Sequence, residues 1–192
     1  SPAGAINIIT KRADVDEAEG YIQLSAADND GLNAQVAYGA PLIEGTLAVR
    51  VAADYDRSNG PNIQNLTTGF DDQEYETKSG RLSAAWNVTD TFSTQLIYQY
   101  LDQDLDDPKA MSGVDQQGGR PTLVPTDLKA LALTNDTAEL DFNVANLIMD
   151  WEVLDHEVTG IVGYTDSSKK AYTAADRADS LRYFVPATTA PT

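Results

Sequence analysis

The sequence predicts an all-β protein, an antiparallel up-and-down sheet of about seven strands, and three observations carry that prediction. Apolar residues recur with period two rather than 3.6, the connections between these segments alternate short and long, and prolines fall between segments instead of inside them. Successive side chains of a strand point to opposite faces, so a period-two segment has one oily and one wet side.

The segments follow in order. Ile22, Leu24 and Ala26 oppose Tyr21, Gln23 and Ser25, and Leu32, Ala34, Val36 and Tyr38 oppose Asn33 and Gln35. The clearest copy spans residues 46–55, with Leu47, Val49, Val51, Ala53 and Tyr55 against Thr46, Ala48, Arg50, Ala52 and Asp54. Leu82, Ala84, Trp86 and Val88 then oppose Arg81, Ser83, Ala85 and Asn87, and Phe92, Leu96, Tyr98 and Tyr100 oppose Ser93, Gln95 and Gln99. The sixth segment changes parity: Leu140, Phe142 and Val144 alternate on one phase, Leu147, Met149 and Trp151 on the other. Either a β-bulge near Ala145 reconciles them, or the first half lies beyond the layer that the second half faces. Last, Val158, Val162 and Tyr164 oppose Glu157 and Thr159.

Pro61, Pro108, Pro121, Pro125, Pro186 and Pro191 fall in the proposed connections and Pro41 closes a strand, as expected of a residue that cannot donate to a ladder. Short connections are expected at 40–45, 87–91 and 152–155. Long ones are expected at 57–74, 102–136 and after 165, with 28–31 the exception on the long side. Tyr38, Trp86, Phe92 and Trp151 fall beside short turns, and Tyr55, Tyr98, Tyr100 and Tyr164 beside long connections. Two aromatic bands around an apolar zone, with turns segregated by length, suit a transmembrane β-barrel. A soluble β-sandwich with aromatics at its sheet ends is the alternative that this pattern leaves open.

Composition narrows the function classes. Thirty Asp plus Glu against 13 Lys plus Arg give a net charge of −17, which disfavours nucleic acid because no basic patch exists to neutralise phosphates. It suits cations, cationic ligands or solvated loops. With no cysteine, disulfides, thiolate metal sites and cysteine nucleophiles are excluded. No run approaches the ~18 apolar residues of a spanning helix, so a membrane role requires strands.

One motif sharpens the reading. Ser1-Pro2-Ala3-Gly4-Ala5-Ile6-Asn7-Ile8-Ile9-Thr10-Lys11-Arg12 resembles the strand that closes the plug domain of TonB-dependent outer-membrane receptors. Ala40-Pro41-Leu42-Ile43-Glu44-Gly45-Thr46 and Trp86-Asn87-Val88-Thr89-Asp90-Thr91-Phe92 are similar to that family's first periplasmic turns, and Thr159-Gly160-Ile161-Val162-Gly163-Tyr164 to a rising strand. The resemblance runs from Ser1 to about Asp166. It implies the end of the plug and a linker at 1–18, then the N-terminal part of a transmembrane barrel with extracellular loops at 19–192. Such receptors have about 22 strands around a plugged lumen, so seven imply a fragment or one part of a larger assembly. The implied function is energy-coupled uptake of a scarce ligand across the Gram-negative outer membrane, a ferric siderophore foremost, a saccharide or a vitamin otherwise. The implied partners are outer-membrane lipid, the TonB complex acting through the plug, and a small molecule such as a metal chelate, with no cofactor.

Site residues follow from both readings. Arg50 and Arg81 are expected to face a lumen from neighbouring strands; the resemblance implies that they hold the plug, and pairing with Glu139 or Asp141 on the same wall is the alternative. Ligand contacts are expected in the long connections, with Asn59, Asn62, Gln64, Asp71 and Gln116 as candidates. Asp102, Asp104, Asp106 and Asp107 place carboxylates at near-alternate positions that suggest a cation, but lack the Gly and Glu of an EF-hand loop. Asp71, Asp72, Glu74 and Glu76 form a second acidic cluster. His156 has no partner arrangement of a general base, and no nucleophile triad, phosphate loop or zinc spacing appears, so an enzyme is not expected. A passive porin-like or adhesive barrel, or a soluble β-sandwich binding module, are the competing functions; the plug-like strand argues against a porin.

Overall fold

The computed structural model describes residues 10–60, 63–66, 73–107, 113–114, 121–123, 125–130 and 136–173. In chain order the strands are β1 (Glu19–Ala27), β2 (Gly31–Ile43), β3 (Leu47–Ser58), β4 (Gln64–Asn65), β5 (Glu74–Thr89), β6 (Phe92–Asp107), β7 (Gly113–Val114), β8 (Pro121–Leu123), β9 (Lys129–Ala130), β10 (Asp136–Val153) and β11 (His156–Tyr172), with one 3-10 turn at Pro125–Asp127.

Seven of these form one sheet in the order β1-β2-β3-β5-β6-β10-β11, and every neighbouring pair is antiparallel. The protein is all-β, and its sheet is an up-and-down meander with β1 and β11 at its two ends. Among the described residues the sheet does not close on itself. The short pieces lie in the long connections, where β4 pairs in parallel with β9 and β7 pairs with β8.

The pairing carries each face across the sheet. Ala40, Val49, Ala84, Leu96, Leu147 and Val162 are successive partners from β2 to β11. One residue along, Glu19, Gly39, Arg50, Ser83, Ile97, Asn146 and Gly163 form the corresponding row on the other face. The first face is apolar between the aromatic rows and the second is largely polar, as the period-two pattern predicts.

Burial is inverted relative to a sheet packed in water. On the apolar face Leu82 and Leu96 are each 47% exposed and Val162 is 60% exposed, whereas on the polar face Arg50, Ser83 and Gln95 are 8%, 2% and 6% exposed. A one-sided antiparallel sheet in water buries its apolar side and wets the other. Here, across the central strands β3, β5 and β6, the polar side is shielded and the oily side lies open, while on the end strands β1 and β11 both sides are mostly exposed.

Local chemistry explains the turns. Asn29 (φ 59) and Asp30 (φ 53) adopt left-handed geometry between β1 and β2, which Asn and Asp tolerate and which matches the twist of a two-residue hairpin. Leu154 (φ 49) and Asp155 (φ 59) do the same between β10 and β11. Gly45 (φ 67) turns β2 into β3. Two register shifts, between Pro41 and Ile43 and between Asn87 and Thr89, sit at short-turn ends. Proline, with no N–H, is at home in the first.

Two expectations need correction. There is no bulge near Ala145: β10 pairs without a register shift to both β6 and β11. Both partners pair with it in unbroken register along nearly its whole length, so alternation continues and Leu140, Phe142 and Val144 fall on the mostly polar face. The long strands also run further than expected, β5 beginning at Glu74, β6 ending at Asp107 and β11 at Tyr172. No helix among the described residues is long and apolar enough to cross a membrane.

Residues 10–18 are tied to the short-turn end of the sheet. The Gly45 N–H donates to the Val15 carbonyl at 2.9 Å, Ala13 is buried, and Asp14 Oδ1 accepts from the backbone N–H groups of Asp16 (2.9 Å) and Glu17 (3.2 Å). This Asx-type turn directs the chain into β1. The strand-like run before it, at 1–9, lies outside the described residues.

Candidate functional site

Among the described residues the polar face gathers four of the six buried side-chain atoms that have no hydrogen-bond partner: Arg81 Nε, Ser83 Oγ and both amide atoms of Gln95. Two adjacent rows meet there: Arg50 opposite Ser83, and Ala52 opposite Arg81. With Lys11 and Tyr21 these residues line a cavity of about 300 Å³. Arg50 and Arg81 therefore share a face on neighbouring strands, as expected from parity.

Their partners differ from those expected. Arg50 Nη1 donates to Glu19 Oε1 at 3.0 Å, and Lys11 Nζ also pairs with Glu19. Arg81 Nη2 donates to Gln99 Oε1 at 2.8 Å. Glu139 and Asp141 cannot serve, because the register puts them on the opposite face, in line with Glu76 and Lys78; Glu139 instead meets Lys170 at 3.4 Å. Within the cavity Arg81 Nε and Ser83 Oγ are buried without a partner, and one row nearer the short turns both amide atoms of Gln95 are likewise unpaired. Buried polar groups are ordinarily satisfied, so this cluster stands out.

The acidic run sits differently from the loop that its composition suggested. Asp102, Asp104 and Asp106 lie within β6 and pair across it with Lys78, Glu76 and Glu74 on β5 and with Asp141, Glu139 and Thr137 on β10. All share the apolar face's side, beyond its Tyr98 and Tyr100. Asp107 ends the strand. Crowding has a protonic consequence: partial desolvation and the carboxylates of Asp102 and Glu139 raise the Asp104 pKa. Glu76 goes the other way, lowered by hydrogen bonds from Lys78 and from Tyr55, whose hydroxyl donates at 2.9 Å. Among the described residues no group of three or more His, Cys, Asp or Glu side chains could hold a metal ion. Strand alternation with opposing cations spreads these carboxylates into a ladder rather than a cage.

The loop candidates divide. Asn59 directly follows β3 on the long-connection side, where its Nδ2 donates to Asp30 Oδ2 at 3.0 Å and its backbone N–H to the Asn29 carbonyl at 2.8 Å. It ties two connections together at that end. Gln64 lies in β4, its N–H donating to the Leu128 carbonyl at 2.9 Å while its side chain is exposed. Asn62, Asp71 and Gln116, with Asp72, lie outside the described residues. His156 opens β11 and is exposed.

Sequence reasoning missed Glu19, Lys11, Tyr21 and Ser83 as neighbours of the two arginines. The period-two pattern places Tyr21 and Ser83 on the polar face, where the structure has them. The signal lacking was the pairing register, which places Glu19 opposite Gly39 and Gly39 opposite Arg50. It also missed that the mostly polar face becomes apolar toward the long connections, where Tyr75, Leu101, Leu105, Leu140 and Phe142 are half-buried on neighbouring strands.

The arrangement defines a class: an open, seven-stranded antiparallel meander with an exposed apolar face and a shielded, partly cationic one. Compared with known proteins, the chain matches no family model, no curated protein and no solved structure.

Proposed function

We propose that this chain is the end of the plug and the first part of the barrel of a TonB-dependent receptor in the Gram-negative outer membrane. In this reading it takes up a scarce ligand by energy-coupled transport, with a ferric siderophore the leading candidate and a saccharide or a vitamin the alternatives. The observation that carries the membrane part is the inverted burial, because hydrocarbon rewards an exposed apolar face that water penalises. The dimensions agree. From Phe92 to Tyr100 and from Leu47 to Tyr55 are nine residues each, within the ~9–11 that a tilted strand needs to cross hydrocarbon.

The polar face is then the lumen wall, and Arg50 and Arg81 face the plug. The long connections face outward and the short turns face the periplasm. The carboxylate ladder on β5, β6 and β10 lies just outside the hydrocarbon, where charge carries little penalty. The resemblance of 1–12 to a plug-closing strand supports the receptor reading over a passive pore, and no catalytic role is proposed.

The chain has no cysteine, so a cysteine introduced into it is unique among these residues, and the unsubstituted gene product serves as the labelling control. Asn59→Cys and Asp155→Cys would be introduced singly into the full gene product in its own cells and treated with a membrane-impermeant maleimide. Labelling of Asn59→Cys on intact cells, with Asp155→Cys reacting only after permeabilisation, is the expected result. Equal labelling of both sites, or recovery in the soluble fraction, overturns the membrane assignment. Unimpaired uptake of every ferric siderophore tested after deletion of the gene overturns the leading ligand while leaving the orientation standing.

A further inference from the structure

We infer that the cavity between Arg50 and Arg81 is a binding site for an oxyanion, a carboxylate or a phosphate. The inference stands on the cavity's own donors and is independent of whether the apolar face meets lipid. Three cations, Lys11, Arg50 and Arg81, surround the space, and the ion pairs there bring them one carboxylate, Glu19, which is shared by Lys11 and Arg50. Arg81 is left with a neutral partner, Gln99. Asp54, in the next row of this face, lines a neighbouring pocket with Arg81 but accepts its hydrogen bonds from Asn33, so in a chain of net charge −17 the cavity's own lining remains positive.

The second observation is independent of charge. Ser83 lines the cavity at 2% exposure, and its Oγ has no partner; Arg81 Nε is buried in the same cavity and has none either. Both can donate. A buried donor without an acceptor is destabilising, and two beside one cavity are satisfied together by one group offering two oxygens. Carboxylate and phosphate have that geometry, and guanidinium donors match both. A neutral acceptor would satisfy the hydrogen bonds and leave the surplus charge uncompensated. The asymmetry of Arg81 fits: Nη2 is held by Gln99, which fixes the guanidinium plane and leaves the Nε edge for the anion.

The test uses the full gene product purified in a non-ionic detergent, titrated calorimetrically with inorganic phosphate and separately with acetate. Saturable binding is expected, weakened about tenfold or more in Ser83→Ala and in Arg81→Gln, since each removes a donor to a charged acceptor. Gln35→Ala, on the same face in a row beyond the cavity, is expected to bind like the parent. Binding of acetate as well as phosphate assigns the site to carboxylates, such as an acidic side chain of a segment packed on this face; binding of phosphate alone assigns it to the free ion or a phosphorylated ligand. If Arg81→Gln loses its β-sheet circular dichroism, Ser83→Ala decides, since it deletes a single hydroxyl. No saturable heat with either anion, or equal affinity in parent and Ser83→Ala, overturns the inference.

Discussion

Arg50 reaches Glu19 by passing over Gly39, the residue that stands between them in the same row. The guanidinium Nη1 lies 3.0 Å from Glu19 Oε1, on a strand two removed from its own. A Cβ at Gly39 would sit 3.1 Å from Arg50 Cβ and 3.2 Å from its Cγ. The missing side chain is therefore the passage that the arginine uses.

That relationship predicts non-additivity. Gly39→Val is expected to lower the unfolding free energy in detergent by about 1–3 kcal/mol, through loss of a charged hydrogen bond to a nearly buried guanidinium. Glu19→Gln should cost a similar amount, and the two together distinctly less than their sum. Additive losses in a double-mutant cycle would show that Gly39 acts through something other than the Arg50–Glu19 pair.

The two faces predict opposite tolerance to charge. If the apolar face meets lipid, Leu82→Arg costs about 2–4 kcal/mol in vesicles, as for a cation near the bilayer midplane. In water, replacing a residue that is 47% exposed would change stability by roughly 0.5 kcal/mol or less. Gln35→Arg, on the polar face, should be neutral either way. Folding yields of both variants into lipid vesicles measure the difference.

The carboxylate ladder predicts two pH dependences of opposite sign. Glu76 is lowered by Lys78 and Tyr55, so its stabilisation is present above the ordinary carboxylate pKa and is lost as pH falls through its lowered value. Asp104 is raised. Between its ordinary and raised values the folded state binds more protons, so its contribution falls as pH rises through that window. At neutral pH, Glu76→Gln should lower the denaturation midpoint and Asp104→Asn should raise it. Both differences should vanish at pH values below both carboxylates' folded and unfolded pKa values. Shifts of the same sign for both variants at neutral pH would contradict this account.

The β10–β11 turn predicts a stabilising substitution. Leu154 is 87% exposed and holds φ 49, a conformation that disfavours a non-glycine residue by roughly 1–2 kcal/mol. Asn tolerates it better, so Leu154→Asn should gain up to about 1 kcal/mol with little burial lost. An unchanged or lower midpoint would indicate that the exposed leucine makes a contact that outweighs the strain.

Much of the fold was legible because alternation is a local property. Leu47, Val49 and Val51 declare a face without reference to any other strand, and all seven strands of the sheet coincide with period-two segments. Strand ends were less legible. Asp102, Asp104 and Asp106 read as a loop because charge at alternate positions looks the same in a solvated strand, and only pairing with β5 and β10 shows that the ladder continues. The parity change at Ala145 was ambiguous for the same reason: it marks a bulge or a change of surroundings, and the unbroken register of β10 decides for the latter.

The sequence by itself determined the all-β class, the seven strands of the main sheet, the short-turn positions and the faces of Arg50 and Arg81, since each depends on the near-neighbour geometry of an extended chain. The tertiary structure alone decided which residues meet across strands: Glu19 with Arg50 over Gly39, and Ser83 beside Arg81 without a partner. It alone decided that the polar face is the shielded one. Register and shielding are set by long-range pairing, and residues far apart in the chain carry no local mark of the partners that pairing assigns them.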